Sequence, residues 1–249
     1  MAQQQDMTGR VAVVTGGGSG LGRATSRELG SAGAHVLIAD LDEAGAERTA
    51  KEITADGGRA SAVALDVTDA AAVDRVFDDA FATHGAALDC LVNNAGTDRG
   101  ADIVDVTDPQ WHSVFDVNVH GPMYTSRAFV RRVLERPDRD RPADIVNIVS
   151  ISALTVGAGA GAYNASKAAL LKLTEVLQTE TRERGWPIRV CAVNPAAMDT
   201  PMMDQWGLPP ERMMNPAVVA GLVRTAVTLD PSVVLQSLVV TGRTEYFPR

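Results

Sequence analysis

Seven short apolar runs rich in Val and Ile recur along the chain, at 11–14, 34–39, 60–65, 88–92, 144–149, 188–193 and 233–240. They are continuous rather than alternating, which is how strands covered on both faces of a parallel sheet read. Helix-length stretches separate them, at 20–32, 42–55, 69–84, 108–135, 163–184 and 216–229. In 69–84, Ala72, Val73, Val76, Phe77, Ala80 and Phe81 recur at helical spacing. Asp108-Pro109 predicts a helix start, with Asp as N-cap and Pro in the first helical position. The charged loop 136–142 ends that helix, and Gly185 with Pro187 stops the next. This alternation predicts an α/β chain with a doubly wound, seven-stranded parallel sheet and helices on both faces. No linker or composition shift divides residues 1–249, so a single domain is expected. Ligands of such sheets bind beyond the carboxyl ends of the strands, where strand order reverses. The functional residues should therefore follow strands.

Composition removes several function classes. The net charge is −8, which gives no general attraction for phosphate backbones, so no nucleic acid partner is expected. No run of about 18 apolar residues occurs, so no membrane span is expected. Residues 1–10 are polar and lack the apolar stretch of a signal peptide. Cys90 and Cys191 lie inside apolar runs and read as buried thiols of a reducing compartment, and a cytoplasmic location is expected. His35, His84, His112 and His120 show no metal-ligand spacing, so no metal is expected.

The first strand runs into Thr15-Gly16-Gly17-Gly18-Ser19-Gly20-Leu21-Gly22. Strand, glycine turn and helix start together make a phosphate site, because glycine permits close approach and the first helical N–H groups face the charge. The spacing is G-x-x-x-G-x-G, not the commoner G-x-G-x-x-G. The second strand ends at Asp40, where a carboxylate can accept hydrogen bonds from adenosine ribose hydroxyls and repel the extra phosphate of NADP. Leu41 and Ser19, at positions where a basic residue would help hold that phosphate, are not basic. NAD is therefore the expected cofactor.

These residues, with Asp66-Val67 after the third strand and Asn93-Asn94-Ala95-Gly96 after the fourth, resemble the short-chain dehydrogenase/reductase family. The resemblance runs from about residue 10 to residue 240, with the motifs in order. It implies a Rossmann-type fold with strand order 3-2-1-4-5-6-7, adenine contacts from Asp66 and Val67, and usually a tetramer or dimer.

Tyr163 and Lys167, four residues apart, fall on one face of a helix. An ammonium near the phenol favours phenolate, and base strength near neutrality asks for a pKa lowered by about 2–3 units. The expectation is that Lys167 and a positive nicotinamide supply that shift together. Ser150 ends the fifth strand thirteen residues before Tyr163, the interval of the resembled family, and would orient the substrate oxygen. Ser152 competes for that role and is otherwise a pocket-wall residue. The resemblance further implies that Asn118 holds a water linking the Lys to solvent. The residue alone reads equally as a helix kink or a core hydrogen bond. After the sixth strand, Asn194-Pro195-Ala196 replaces the family's N-P-G, while Met198 and Thr200 keep positions beside the nicotinamide carboxamide. The expected catalytic set is Asn118, Ser150, Tyr163 and Lys167. The expected cofactor set is Gly16, Ser19, Gly20, Leu21, Gly22, Asp40, Asp66, Val67, Asn93, Asn94, Tyr163, Lys167, Pro195, Met198 and Thr200.

Five of the eight Met residues fall within 198–214, beside Trp206. They read either as an apolar, mobile substrate lid near 200–215 or as core or interface filling. Asp98, Arg99 and Val156 are further wall candidates. The leading expectation is an NAD-dependent enzyme interconverting a secondary alcohol and a ketone on an apolar substrate, as an alcohol dehydrogenase, carbonyl reductase or 3-hydroxyacyl-thioester dehydrogenase. The alternatives are a 3-oxoacyl carrier-protein reductase and a non-catalytic cofactor-binding regulator. Val114, Phe115, Phe129, Val133, Leu171 and Leu177 suggest apolar outer helix faces and hence a homotetramer, with a dimer second.

Overall fold

Val11 and Val13 turn to one side of the first strand, Ala12 and Val14 to the other, and all four are buried. The same division holds at Val36 and Ile38 against Leu37, and at Val146 and Ile148 against Ile145. Two apolar layers on one sheet follow directly from such runs. The computed structural model describes residues 6–136 and 139–243.

The elements in chain order are β1 (Val11–Thr15), α1 (Gly20–Ser31), β2 (His35–Asp40), α2 (Glu43–Ala55), β3 (Arg59–Ala64), α3 (Ala70–His84), β4 (Leu88–Asn93), α4 (Asp108–Phe115), α5 (Gly121–Leu134), β5 (Ala143–Ile148), α6 (Gly161–Glu183), β6 (Ile188–Pro195), α7 (Pro216–Val227) and β7 (Ser237–Val240). The sheet order is β3-β2-β1-β4-β5-β6-β7, with every neighbouring pair parallel. Strand order reverses between β1 and β4, as the doubly wound reading requires. One layer gathers Leu29, Ile53, Val219 and Val223 from α1, α2 and α7. The other gathers Phe77, Phe81, Phe129 and Val133 from α3 and α5. Among the described residues no helix is long and apolar enough to cross a membrane. Cys90 and Cys191 are buried free thiols.

Four expectations need correction. The helix expected over 108–135 is two α-helices joined by a π turn, Asp116–His120. Its cap is Thr107 rather than Asp108: the Thr107 hydroxyl accepts from the Gln110 amide and the Gln110 side chain reaches back, a reciprocal box that satisfies the first donors. The last strand begins at Ser237, not 233, because the Arg189 guanidinium takes the carbonyls of Leu229, Asp230 and Val233 and holds that stretch as a loop. Finally, Val114, Phe129 and Val133 are wholly buried within the chain, so they form no outer face. Loop 136–142 includes Pro137 and Asp138, which lie outside the described residues.

At the amino ends of the strands sits a buried charge cluster. Arg10 Nε donates to both oxygens of Asp89 at 2.8 and 2.9 Å, its Nη2 donates to Asp144 at 2.7 Å and its Nη1 to the Val227 carbonyl at 2.6 Å. Arg189 donates to Asp144 from the other side at 2.8 and 3.1 Å. Burial pushes the Asp89 carboxyl up to about 6 against the pull of Arg10. Removing one partner of a buried pair strands the other charge, at a cost of about 3–5 kcal/mol. Arg10→Met should therefore lower the denaturant midpoint by that order, and Arg10→Met with Asp89→Leu should recover most of it. Equal midpoints for wild type and Arg10→Met would show that the cluster contributes nothing.

Candidate active site

Residues that follow β1 to β6 line one cleft of about 1110 Å³. At the glycine turn, Gly16 and Gly20 have φ of +63° and +50°, left-handed values in which a side chain would be strained. A Cβ on Gly22 would lie 2.0 Å from the Gly16 carbonyl oxygen, so Gly22 lets the turn pack on its own helix. The Ser19 hydroxyl makes no capping bond to α1, and the first turn carries no acidic side chain. The leading N–H groups of α1 thus remain available to an anion. Thr15, which the motif reading left unused, ties this turn to the loop after β4: its Oγ1 accepts from the amides of Asn94 and Ala95 at 3.0 and 3.1 Å. Asn94 Nδ2 returns bonds to the carbonyls of Thr15 and Gly16 at 2.9 and 3.1 Å.

Asp40 lines the same cleft, with Oδ2 accepting from the Gly18 amide at 2.8 Å and Oδ1 from the Asp42 amide at 2.9 Å. Two amides thus orient the carboxylate. Asp66 and Val67 line the wall as well, Asp66 closing a local turn through Thr68. Leu21, Pro195, Met198 and Thr200 line it, and a Cβ on Gly20 would lie 3.3 Å from the Thr200 methyl, so a backbone cradle faces Thr200. An exposed helix start, an oriented carboxylate and a glycine cradle fit a phosphate-bearing dinucleotide.

Two expected cofactor residues do not reach the cleft. Gly22 is buried in the turn, and Asn93 is 2% exposed beneath the wall. Asn93 donates to Ser126 and Asn147 at 3.0 and 2.8 Å and accepts from Thr125 at 2.6 Å, while Asn147 donates to Thr174 at 2.8 Å. This polar lattice joins β4 and β5 to α5 and α6. Ala196 lines the cleft without strain, since no described residue other than glycine has a positive φ.

The expected catalytic side chains come from β5, the π turn and α6. Ser150 is 7% exposed; its Oγ accepts from the Ser152 amide at 3.1 Å and donates to the Pro195 carbonyl at 3.5 Å. Ser152 lines the cleft as well. Lys167 is 4% exposed; its Nζ donates to the Ile148 carbonyl at 3.0 Å and lies 5.6 Å from the Tyr163 ring centroid. Asn118, wholly buried, donates to the Thr97 carbonyl at 2.8 Å and to Ser166 at 3.0 Å, and accepts from the Thr97 amide at 2.8 Å. Both plain readings of this residue hold, since it sits in a π turn and makes core hydrogen bonds. Its side chain fastens the loop after β4 to α6. A Cβ on Gly96 would stand 3.4 Å from Asn118 Oδ1 and 3.6 Å from Lys167 Nζ, so glycine here leaves the space between them clear.

The chain's own surroundings act on the charge states of Tyr163 and Lys167. Burial pushes the Tyr163 phenol up to about 12, outweighing the lowering effect of the Ser150 side chain, and Asp98 adds to the rise. Burial also draws the Lys167 ammonium down to about 8, partly offset by Asp98.

At the substrate end, Met202, Met203 and Trp206 line the cleft from the 3₁₀ turn Pro201–Trp206, and Leu208 lines it just after that turn. Met214 packs on the core, and Met198 both packs on the core and lines the cleft, the two residues pairing through a short bridge. The methionine cluster therefore divides between cleft lining and core filling. Asp98, Arg99 and Val156 line the cleft too. Among the described residues no group of His, Cys, Asp and Glu is placed to hold a metal.

A short chain dehydrogenase family model matches residues 10–210. A 1-deoxy-11-beta-hydroxypentalenate dehydrogenase from Streptomyces exfoliatus is 39% identical over 227 residues, covering 89% of this chain and 80% of that protein. A 3-ketoacyl-(acyl-carrier-protein) reductase from Brucella melitensis, solved in complex with NADH, superimposes with a TM-score of 0.86 at 31% identity, over 96% of this chain and 100% of that one. A metagenomic short-chain oxidoreductase in complex with NADP gives a TM-score of 0.81 at 29% identity, over 94% and 97% of the two chains.

The buried ammonium generates a stability test. Unfolded, Lys167 keeps its proton to about 10.5; folded, only to about 8. Between those values the unfolded chain binds more protons, so the stability contributed by this group rises with pH across the window. Below about 8 the cost of the buried charge is fully present. Lys167→Met should therefore gain most over wild type at pH 7, by at most about 3 kcal/mol, and lose most of that advantage by pH 10. Denaturant midpoints at both pH values decide it, and a pH-independent difference would contradict the argument.

Proposed function

The chain belongs to the short-chain dehydrogenase family, and on that premise we propose that it is an NAD-dependent oxidoreductase interconverting a secondary alcohol and a ketone on an apolar skeleton. The observation that carries this reading is the meeting of Ser150, Tyr163 and Lys167 at one end of a cleft that also holds Asp40. In the oxidation direction Tyr163 takes the hydroxyl proton of the alcohol, and in reduction it gives one to the ketone oxygen. Ser150 Oγ orients that oxygen and stabilises the charge developing on it. Lys167, bonded to the Ile148 carbonyl, sits beside the phenol and within reach of a ribose. Asn118 acts as a positioning residue, through Thr97 and Ser166. The nicotinamide, when bound, accepts or delivers the hydride and, when oxidised, brings a positive charge. The positive charge of a bound, oxidised nicotinamide would favour the phenolate, against the raising effect of burial on Tyr163.

Support for NAD is Asp40, oriented by two amides and followed by Leu41. The similar structures include complexes with NADH and with NADP, so the preference rests on this chain's own residues. The hydroxypentalenate dehydrogenase relative supports a hydroxyl-bearing substrate. The apolar lining by Met202, Met203 and Leu208 supports a non-polar skeleton. A second reading, reduction of a 3-oxoacyl carrier-protein thioester, gains from the NADH complex of a reductase so named. NAD preference therefore no longer weighs against it. A non-catalytic regulator would have no chemical use for the assembled Ser150, Tyr163 and Lys167.

We also propose self-association, a homotetramer first and a dimer second. With Val114, Phe129 and Val133 committed to the core, its support is the partly exposed Trp111–Phe115 stack of α4, with ring centroids 4.9 Å apart, and the exposed Val176 of α6. Light scattering at micromolar concentration reads the mass, and a value near 26.3 kDa rejects this proposal.

Two substitutions separate the halves of the catalytic reading. Tyr163→Phe should keep cofactor affinity and lower turnover by about 10²–10⁴, the usual contribution of general acid–base catalysis. Asp40→Ala should keep turnover with NAD measurable while narrowing the affinity gap between NAD and NADP. Wild-type turnover from Tyr163→Phe overturns the mechanism, and equal affinities for both cofactors in wild type overturn the cofactor assignment.

A further inference from the structure

Asp98 follows the N-N-A-G turn by two residues and is 5% exposed, yet it lines the cleft. Its Oδ2 accepts from Trp206 Nε1 at 2.9 Å, while its Oδ1 is shielded from water and has no hydrogen-bond partner. The adjacent Arg99 turns its guanidinium to Thr97 Oγ1 and to the Asp98 carbonyl at 3.1 and 2.8 Å, and its backbone N–H lies close enough to the carboxylate to act on it. Trp206 fixes this asymmetry. Its ring fills a slot between glycines: a Cβ on Gly100 would lie 3.1 Å from it, and one on Gly159 3.9 Å. Two hydrogen bonds join the 201–206 turn to the loop after β4, the Trp206–Asp98 bond and a Gly100 amide donating to Gln205 Oε1 at 3.3 Å. The carboxylate also stands near enough to the reacting groups that its charge acts on both Tyr163 and Lys167.

A buried acceptor left without a donor is costly, and a ligand that brings a donor recovers the cost. The Met and Leu lining of the same cleft disfavours a desolvated cation, so a neutral hydroxyl is the donor that suits it. The geometry points to Asp98 as a specificity-determining residue that accepts a hydrogen bond from a second hydroxyl on an otherwise apolar substrate and rejects a carboxylate at that position. With the 201–206 turn as it lies Oδ1 is shielded, so a substrate hydroxyl would reach it by displacing that turn while the Trp206 N–H stays on Oδ2. This deepens the alcohol–ketone reading and rests on it.

The test uses three cyclohexane-derived ketones that carry a methyl, a hydroxyl or a carboxylate opposite the carbonyl. Calorimetry on the protein alone and loaded with NAD reads binding without turnover, and initial rates with NADH read kcat/KM. Wild type should favour the hydroxyl ketone over the methyl ketone about tenfold or more, as a hydrogen bond to a charged group allows, and bind the carboxylate weakest. Asp98→Leu should erase the hydroxyl preference. Asp98→Asn keeps the shape and an acceptor for Trp206 but turns a donor toward the ligand, and it should relieve the exclusion of the carboxylate. A hydroxyl preference that survives Asp98→Leu, no preference in wild type, or no binding of any of the three overturns the assignment. Hydroxyl-selective, Asp98-dependent binding without turnover would instead count against the oxidoreductase reading alone. Turnover of all three ketones without dependence on Asp98 would count against this inference alone.

Discussion

The Arg10 guanidinium is the interaction on which the sheet's arrangement turns. It enters from the start of β1 and binds the Asp of β4, the Asp of β5 and the carbonyl that ends α7, with Arg189 of β6 completing the cluster. Four adjacent strands are thereby fixed at their amino ends by partners that admit little slippage, because each ion is buried and each bond has a set direction. With that edge closed by charge, the opposite edge is free to be built from loops. The chain uses glycine, asparagine and threonine there, residues that satisfy backbone groups in turns where no ladder continues.

The cleft inherits its order from a polar lattice beneath it. Thr15 and Asn94 couple the glycine turn to the loop after β4, Asn118 couples that loop to α6, and Asn93 with Asn147 couples the strands to both flanking helices. None of these bonds requires a ligand. The site is therefore held in place by amides and hydroxyls that the chain itself satisfies, while the groups left to do chemistry are the ones whose burial is unfavourable. Tyr163 and Lys167 are both biased toward their neutral forms by the same enclosure.

Most of the fold was legible because each central strand is apolar on both faces, so run length and spacing alone separate strand from helix. Legibility failed where a single side chain redirects the backbone. Arg189 captures three carbonyls and delays β7, and nothing in the apolar run 233–240 announces it. The Thr107–Gln110 box could have been read from its T-x-x-Q spacing, but Asp108-Pro109 offered a stronger-looking start. Asn147 interrupts a continuous apolar strand, and such an interruption is itself a signal of a buried partner, which here is Asn93 at the end of β4. The direction of the Tyr163 shift was not legible, since spacing gives proximity to Lys167 but not the depth of enclosure. The same holds for Asp98, an unremarkable loop acid until Trp206, 108 positions away, covers it.

The π turn at Asp116–His120 sets the phase between two helices that the sequence writes as one. An α-helix advances about 100° per residue, so one extra residue in a turn rotates everything downstream by that angle. α4 is thereby aimed at α6, while α5 is aimed at α3 and the sheet. The turn works as a gear between two packing problems, and it leaves Asn118 at the point where they mesh. Deleting one residue there would be a phase error rather than a shortening. Phe129 and Val133 would swing off the sheet, although every side chain that lines the cleft had been left untouched.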